Sequence, residues 1–261
     1  MIFIDQTGYK ITLDRHPQRI VSLVPSQTEL LYYLGIKPIA QTVFCVHPNR
    51  YFKESTKIGG TKKLSLAKIK RLKPDLIIGN KEENQQAEIE SLRSEFRVWL
   101  SDIYTLSDAN AMILQIGELV NKKQKAESLV SAIQRDFSKI NIAKKTHRVL
   151  YLIWRKPYMA AGRSTFINAI LKSQGLENCI SEIDSRYPEL SMDQIKEYNP
   201  DKILLSSEPY PFKDKHMAEL QSILPQASIE LVDGELYSWY GPRLLETAAY
   251  LATKSSPLYQ I

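Results

Sequence analysis

A chain of 261 residues can build two modest cores or one large one, because domains commonly run to about 100–200 residues. Its apolar content of 43% is that of an ordinary globular protein, and no apolar run approaches the roughly 18 residues of a membrane span. The net charge is +6, but the basic residues lie on several predicted helix faces without interleaved aromatics. We therefore predict no nucleic-acid partner, whereas a small anionic ligand fits the charge.

The first half alternates predicted strands with predicted helices. The buried run RIVSLVP predicts a strand from Arg19 to Pro25, and the next run predicts a helix that Ser26 or Thr28 caps and Gly35 closes. Further runs predict strands at 39–45, 76–79 and 97–100 and helices at 65–72 and 108–120. This alternation is typical of a mostly parallel sheet covered by helices on both faces.

The second half repeats the plan, with strands predicted at 148–154, 203–206 and 229–232 and a helix at 165–173. One segment recurs almost letter for letter at an offset of 126 positions. The identical residues are Ser65, Ile69, Lys70, Pro74 and Asp75 in the first copy and Ser191, Ile195, Lys196, Pro200 and Asp201 in the second. This repeat favours two lobes of similar topology.

A long amphipathic stretch separates the two halves. From Lys122 to Lys144 apolar residues recur at steps of three and four, which predicts one continuous helix. A helix of about 22 residues is roughly 33 Å long, enough to cross a domain. We predict an α/β fold of two lobes with mostly parallel sheets: an N-terminal lobe over 1–120, a bridging helix over 121–145 and a C-terminal lobe over 146–261.

Ligands of open α/β sheets bind outside the carboxyl ends of the strands, so the residues that follow predicted strands are candidate ligand contacts. Aromatic residues beside Glu and Asp suit a large, partly apolar ligand. Alternatively, the aromatics are rim and core residues and the acids are solvated loop charges. The candidates are Pro25, Ser26, Phe44, Glu83, Trp154, Arg155, Glu208, Tyr210, Phe212, Asp233, Trp239, Tyr240 and Arg243.

A metal site is a further hypothesis. Cys45 and His47 are two positions apart, which in an extended segment places both side chains on one face. A thiolate and an imidazole bind soft or borderline metals such as zinc, iron or cobalt. The residues that could complete such a site are His216, Glu82, Glu83, Glu208 and Asp233. The alternative is that Cys45 is a buried small apolar residue. The sequence has only two cysteines, Cys45 and Cys179, too few for a disulfide-stapled secreted fold.

Common catalytic motifs are absent from the sequence. It contains no phosphate-binding loop, no dinucleotide fingerprint, no HExxH and no GxSxG. We therefore expect a protein that binds rather than catalyses. Two alternatives stay open: a chelatase-like enzyme that uses Cys45, His47 or His216 to insert or remove a metal, and a regulatory module whose cleft is vestigial.

The chain resembles the substrate-binding proteins of cobalamin, iron-siderophore and haem uptake, in which one rigid helix joins two α/β lobes. The segments that carry the resemblance are RIVSLVPSQTELLYYLG, LSLAKIKRLKPDLIIGN and LSMDQIKEYNPDKILLSS. FCVHP, GGTK, NKEEN, YPELS, SSEPYPF and DGELYSWYG resemble a group of helical-backbone metal receptors most closely. The resemblance implies a metal-containing ligand, cobalamin-like, haem or an iron chelate, held between the lobes of a monomer with no covalent cofactor.

Two departures from this family pattern shape the expected location and partner. The N-terminus shows no signal peptide, because charged residues interrupt the place of its apolar region. We therefore expect a cytoplasmic carrier or sensor, and a periplasmic or lipid-anchored protein only if the natural N-terminus is longer. The resemblance also implies docking on an ABC permease through one carboxylate per lobe. The matching positions are Ala67 and Asp193, which predicts weakened docking.

Overall fold

The computed structural model describes residues 1–142, 145–180 and 185–254, with only the backbone of Lys254. These residues form two compact units. The N-terminal unit contains Met1–Ile103, Ser107–Gln134 and Trp239–Leu244, and the C-terminal unit contains Tyr104–Leu106, Arg135–Ser238 and the residues from Leu245 onward. The sequence did not indicate that Trp239–Leu244, close to the C-terminus, belongs to the N-terminal unit.

Parallel strands form the centre of the N-terminal unit. Its main sheet has the order β4-β3-β7-β8, and all three neighbouring pairs are parallel. Two short antiparallel pairs, β1-β2 and β5-β6, accompany it. The strands are β1 (Ile2–Ile4), β2 (Lys10–Thr12), β3 (Ile20–Ser22), β4 (Ala40–Gln41), β5 (Gly59–Gly60), β6 (Lys63–Leu64), β7 (Leu76–Asn80) and β8 (Val98–Ser101).

The C-terminal unit has a mixed sheet. Strands β9, β11, β13 and β14 pair in parallel, whereas β10 and β12 add antiparallel pairs beyond β9. The predicted α/β class with mostly parallel sheets is confirmed in both units. The strands are β9 (Arg148–Trp154), β10 (Tyr158–Ala160), β11 (Glu177–Asn178), β12 (Glu189–Leu190), β13 (Lys202–Ser206) and β14 (Ser228–Val232).

Helices pack on these sheets and close two apolar cores. The buried residues of β3 and β7 meet those of the neighbouring helices in the N-terminal unit, and those of β9 and β13 do so in the C-terminal unit. The helices are α1 (Pro25–Leu34), α2 (Asn49–Glu54), α3 (Leu66–Leu72), α4 (Gln86–Arg93), α5 (Leu106–Leu119), α6 (Lys123–Phe137), α7 (Phe166–Ser173), α8 (Met192–Tyr198), α9 (Asp214–Ile223), α10 (Gly234–Ser238) and α11 (Arg243–Lys254).

The sequence repeat is a structural repeat. In each unit a seven-residue helix, α3 or α8, ends at a left-handed residue, Lys73 or Asn199, before the Pro-Asp turn. The carboxylate of Asp75 accepts the backbone N–H groups of Gln18 and Arg19, and that of Asp201 accepts the backbone N–H of Arg148. These aspartates therefore join each turn to the start of a neighbouring parallel strand, which explains the identity of the residue in both copies.

Helix α6 is shorter than the sequence predicts. It ends at Phe137, where the Ser138 hydroxyl donates to the carbonyl of Arg135 at 2.7 Å and competes with the helical ladder. Ile140, the last residue of the predicted apolar stripe, is buried although it lies beyond the helix, whereas Ile142 is 65% exposed. Residues 143 and 144 lie outside the described part of the chain. The boundary between the two units falls within α6, after Gln134. A bridging role for the helix stays a prediction.

The predicted strand at 39–45 is also shorter, because β4 covers only Ala40–Gln41 before the chain turns. Helix α1 ends before Gly35 as predicted, and the φ angle of 86° at Gly35 explains the glycine. The predicted Ser26 or Thr28 cap is wrong, because the helix already begins at Pro25 and its N-cap residue is Val24, which makes no side-chain cap bond. Among the described helices, none combines the length and the apolar character needed to cross a membrane.

Candidate ligand-binding surfaces

Each unit gathers its predicted site residues at the carboxyl ends of its own parallel strands. In the N-terminal unit Pro25 and Ser26 follow β3, the loop with Phe44 follows β4, and Glu83 follows β7. In the C-terminal unit Trp154 ends β9, Glu208 follows β13 and Asp233 follows β14. The strand-end rule therefore places candidates correctly within each unit, while their ligand-binding roles stay predictions.

The segment Trp239–Leu244 completes the strand-end group of the N-terminal unit. The backbone N–H of Tyr240 donates to the Ser26 hydroxyl at 3.3 Å, which attaches this segment to the first turn of α1. Gly241 has a φ angle of 90°, and a side chain there would be strained beside the backbone of Ser26. The Trp239 ring is thereby held edge-on to the His47 imidazole, with ring centroids 5.5 Å apart.

Arg243 is committed to an ion pair inside the N-terminal unit. Its Nη2 lies 2.8 Å from Oε1 of Glu29 and its Nε lies 3.2 Å from Oε2, a bidentate arrangement. The guanidinium also lies 5.5 Å from the centroid of the Trp239 ring. Because Glu29 belongs to α1, this pair fixes the start of α11 to α1. The sequence did not single out Glu29, although its place one turn after Ser26 is a usable signal.

Cys45 lies in the protein interior. Its Sγ is 3.0 Å from the Thr28 hydroxyl and 3.1 Å from the Thr42 hydroxyl, and burial raises the pKa of the thiol. A metal ligand must be a thiolate, which this environment disfavours. Among the described residues no group of three or more His, Cys, Asp or Glu side chains is arranged to hold a metal ion. The metal-ligand role of Cys45, His47 and His216 stays a prediction that this geometry does not support.

Buried amides hold the two loops that carry Phe44 and Glu83. The Gln41 amide donates to the carbonyl of Cys45 at 2.6 Å and accepts from the Tyr32 hydroxyl at 2.7 Å. The side-chain oxygen of Asn80 accepts the backbone N–H of Glu83 at 3.0 Å. No sequence pattern singled out these two amides, although their positions at the ends of β4 and β7 are a usable signal.

These supported loops present Phe44 and Glu83. Phe44 is 56% exposed, and its ring lies so close to Gly60 that a Cβ there would come within 3.0 Å. Burial raises the pKa of the Tyr240 hydroxyl well above its usual value, and the nearby Glu83 carboxylate adds to the shift. Tyr240 is therefore a neutral, buried side chain next to the loop that carries Glu83.

An aromatic cluster marks the C-terminal unit, and we define it as Trp154, Tyr210, Phe212 and His216. The Tyr210 ring meets Trp154 edge-on at 5.6 Å and Phe212 at 4.8 Å between centroids. Phe212 in turn meets His216 edge-on at 5.6 Å. Trp154 is 39% exposed, whereas Phe212 and His216 are buried. The cluster therefore leaves one indole partly exposed on a firmly packed base.

His216 supports this cluster in its neutral form. Its Nδ1 accepts the backbone N–H of Lys213 at 2.9 Å, so the proton belongs on Nε2, which lies 3.4 Å from the Tyr210 hydroxyl. Burial lowers the pKa of His216, and the neighbouring Arg155 and Lys215 lower it further. The structure thus gives His216 a packing role at the start of α9.

The other polar candidates of the C-terminal unit also bind protein atoms. Nη2 of Arg155 lies 2.6 Å and 2.8 Å from the two carboxylate oxygens of Glu219, and these bonds lower the pKa of the Glu219 carboxyl. Glu208 accepts from the Ser238 hydroxyl at 3.2 Å. The exposed Asp233 accepts the backbone N–H of Glu235 at 3.0 Å. Most of the charged candidates therefore have structural partners, and among the aromatic candidates only Phe44 and Trp154 are exposed.

A model of the family described as "Periplasmic binding protein" matches residues 20–223. A vitamin B12-binding protein of Pectobacterium carotovorum is 26% identical over 253 residues, which cover 93% of this chain and 90% of that protein. An uncharacterized ABC transporter substrate-binding lipoprotein of Bacillus subtilis is 25% identical over 97% of this chain and 84% of its own length.

Solved structures share the fold. The periplasmic vitamin B12 binding protein of Vibrio cholerae superposes with a TM-score of 0.79 at 20% identity, covering 92% of this chain and 97% of that one. The periplasmic haem-binding protein HutB of Vibrio cholerae gives a TM-score of 0.76 at 24% identity, covering 92% and 99%. At such identities the likeness shows the fold alone.

The expectation of a cytoplasmic protein is wrong. The two structural neighbours from Vibrio cholerae are periplasmic proteins, and the relative from Bacillus subtilis is a lipoprotein. The physical reason for the error is that an export signal precedes the folded domain and takes no part in it, so the folded segment has the same sequence pattern in either compartment.

Proposed function

This chain belongs to the periplasmic binding protein family, and we propose that it binds a metal chelate with a broad apolar face, a corrinoid, haem or a hydrophobic iron chelate. The family consists of substrate-binding proteins, so the chain is a binding protein and not an enzyme. The chelatase alternative is thereby set aside. The metal, in this proposal, arrives inside the ligand as cargo.

The observation that carries the proposal is the partly exposed Trp154 on its packed aromatic base. An indole that is 39% exposed while its neighbours Phe212 and His216 are buried offers a flat, pre-oriented surface for a planar ligand. The N-terminal unit supplies a second surface of the same kind, in which exposed Phe44 lies on a rigid loop and Trp239 is held by Arg243. Stacking on such surfaces suits a macrocycle better than a small hydrophilic substrate.

The remaining donors explain the choice of a chelate over a free ion. A bare metal ion needs three or more converging His, Cys, Asp or Glu groups, and the described residues contain no such arrangement. Cys45 faces Thr28 and Thr42 in the interior, and the Nδ1 of His216 is occupied by the backbone of Lys213. A ligand that carries its own donor atoms does not require them from the protein.

Titration of the purified chain with cyanocobalamin, haemin and a ferric hydroxamate, followed by tryptophan fluorescence, tests the proposal. Trp99 is fully buried and cannot stack on a ligand, so the difference between the original chain and Trp154→Ala reports on the contact with that indole. We expect saturable quenching by at least one chelate and an affinity about tenfold lower in Trp154→Ala, in line with about 1.5 kcal/mol for an aromatic contact. Tyr33→Ala, an exposed aromatic of α1, is the matched control. Absence of quenching by all three chelates refutes the ligand class.

We also propose that this protein docks on a permease less tightly than relatives with a carboxylate in each lobe. Ala67 on α3 is exposed and has no charge, whereas Asp193 on α8 is 95% exposed and lies 3.7 Å from Lys196. A missing exposed ion pair costs about 0–1 kcal/mol. Ala67→Glu should therefore strengthen binding to a reconstituted permease by no more than about fivefold. A weaker complex in that variant would contradict the proposed docking position.

A further inference from the structure

The excess of positive over negative charge in this protein falls in one segment, residues 50–73, which we call the basic segment. It contains nine Lys or Arg and one Glu, a net charge of +8, whereas the whole chain has +6. The rest of the chain therefore has a net charge of −2. The basic residues are Arg50, Lys53, Lys57, Lys62, Lys63, Lys68, Lys70, Arg71 and Lys73.

The fold does not require this charge. The corresponding segment of the C-terminal unit, 126 positions later at residues 176–199, contains two basic and six acidic residues, a net charge of −4. Both copies build a seven-residue helix, a left-handed terminal residue and a Pro-Asp turn. Two segments with charges of +8 and −4 build the same helix and turn, so this local structure does not depend on the sign of the charge.

Contacts bring parts of the basic segment together on the N-terminal unit. Lys68 Nζ lies 3.4 Å from the carbonyl of Lys57, which links α3 to the strand-like residues before β5. Lys57 itself lies over the Phe52 ring of α2, 3.9 Å from its centroid. The Arg19 guanidinium donates to the carbonyl groups of Leu72 and Lys73 and adds a cation at the end of α3.

Within the basic segment, most charged side chains are exposed and the large apolar side chains are not. Lys62, Lys63, Lys68, Arg71 and Lys73 are exposed, and Lys70 forms an ion pair with Glu95. The large apolar residues of the segment, by contrast, are buried or half-buried: Tyr51, Phe52, Ile58, Leu64, Leu66, Ile69 and Leu72. The segment therefore presents flexible cations without a protruding apolar anchor.

We propose that the basic segment holds the N-terminal unit against a bilayer surface rich in anionic phospholipid headgroups. Seven of its nine cations are Lys and only two are Arg. Protein interfaces enrich Arg and deplete Lys, because bidentate geometry is needed against a fixed partner. A lipid surface is diffuse and mobile, and mobile lysines match it at about 1 kcal/mol per residue. Contact is electrostatic and peripheral, and it acts in addition to ligand binding.

Co-sedimentation with vesicles tests this proposal on the full chain without any ligand. We expect binding to phosphatidylcholine vesicles that contain phosphatidylglycerol and none to pure phosphatidylcholine. Binding should fade as the salt concentration rises to about 0.15 M, where the Debye length is about 8 Å. The triple variant Lys68→Gln/Arg71→Gln/Lys73→Gln should partition on the order of 100-fold less, at about fivefold per residue.

The matched control removes the same charge elsewhere on the N-terminal unit. Lys122, Lys123 and Lys125 are exposed at the start of α6, and their triple change to Gln lowers the net charge by the same three units. We expect this control to keep most of the vesicle binding. Equal loss in both triple variants overturns the proposal, because net charge alone would then explain binding. Binding to polyglutamate with none to anionic vesicles overturns it in favour of an acidic protein partner. Circular dichroism of both variants verifies that they are folded.

Discussion

The ion pair between Arg243 and Glu29 makes it possible to test whether Arg243 contacts the ligand or stabilises the fold. The sequence predicts that Arg243 contacts the ligand, whereas the structure pairs its Nε and Nη2 groups with Glu29. Replacing Arg243 by Met keeps a long apolar side chain and removes the guanidinium charge, which lies 5.5 Å from the centroid of the Trp239 ring. Glu29→Gln removes the opposite charge with almost no change of shape. The double variant closes a thermodynamic cycle.

The size of the effect follows from the burial of the pair. The Arg243 side chain is 9% exposed and that of Glu29 is 13% exposed, so each single change leaves a charge in a largely dry environment. Removing one partner of a buried pair costs about 3–5 kcal/mol, and the residual exposure favours the lower end. We therefore expect each single variant to lose about 3 kcal/mol and the double variant to lose about 2 kcal/mol less than their sum.

Thermal unfolding and ligand titration together provide the assay. A loss of about 3 kcal/mol should lower the midpoint of the N-terminal unit by about 10 °C. Below that midpoint the affinity of Arg243→Met for the chelate should fall by about fivefold or less. This small loss reflects the removal of the guanidinium beside the Trp239 ring. An unchanged midpoint together with a large loss of affinity refutes this reasoning, because Arg243 would then contact the ligand directly. Additive effects in the cycle would show that the two side chains do not interact.

Three further predictions concern packing and titration in the described residues. A Cβ at Gly117 would lie 2.3 Å from Cβ of Ala126, so Gly117→Ala should destabilise the N-terminal unit by about 1–3 kcal/mol in urea unfolding. Adding Ala126→Gly should restore most of the lost stability. Failure of that rescue contradicts the close packing of α5 and α6. Burial raises the pKa of the Cys45 thiol and raises that of the Cys179 thiol to about 11. Both thiols should therefore resist a thiol reagent at neutral pH and react in denaturant. Rapid modification of the native protein contradicts the burial of these thiols. Burial lowers the pKa of His216, so the unfolded chain binds the proton more readily than the folded one. The stability of the C-terminal unit should therefore fall as the pH drops below about 6.5. His216→Gln should make the unfolding midpoint less dependent on pH, and an unchanged dependence contradicts the role of His216.

The regular elements were accessible from the sequence because local signals and tertiary packing agree there. The run from Arg148 to Trp154 predicts β9 with its observed bounds, and Gly35 ends α1 where the pattern predicts. The repeat around Asp75 and Asp201 indicated two similar units, because each aspartate bonds backbone N–H groups before a strand that the sequence pattern also marks. Short local elements fail more often, as the brief β4 shows.

The roles of individual candidates depended on partners distant in sequence. Arg243 and Glu29 are 214 positions apart, and so are Tyr240 and Ser26. A hydrophobic pattern extends over neighbouring positions only, so it cannot reveal pairs that are so far apart in sequence. Cys45 and His47 illustrate the same limit, because their spacing of two suggested one shared face, whereas Cys45 turns inward to Thr28 and Thr42 and His47 meets Trp239.

The sequence by itself determined the α/β class, the two-part repeat and the strand ends from which the aromatic side chains project. These properties follow from hydrophobic periodicity and turn residues, which act over a few neighbouring positions. Only the tertiary structure decided that Trp239–Leu244 returns to the N-terminal unit and that Arg243 is bound to Glu29. Those outcomes depend on which distant surfaces bury each other, and burial between distant segments becomes defined only when the whole chain is packed.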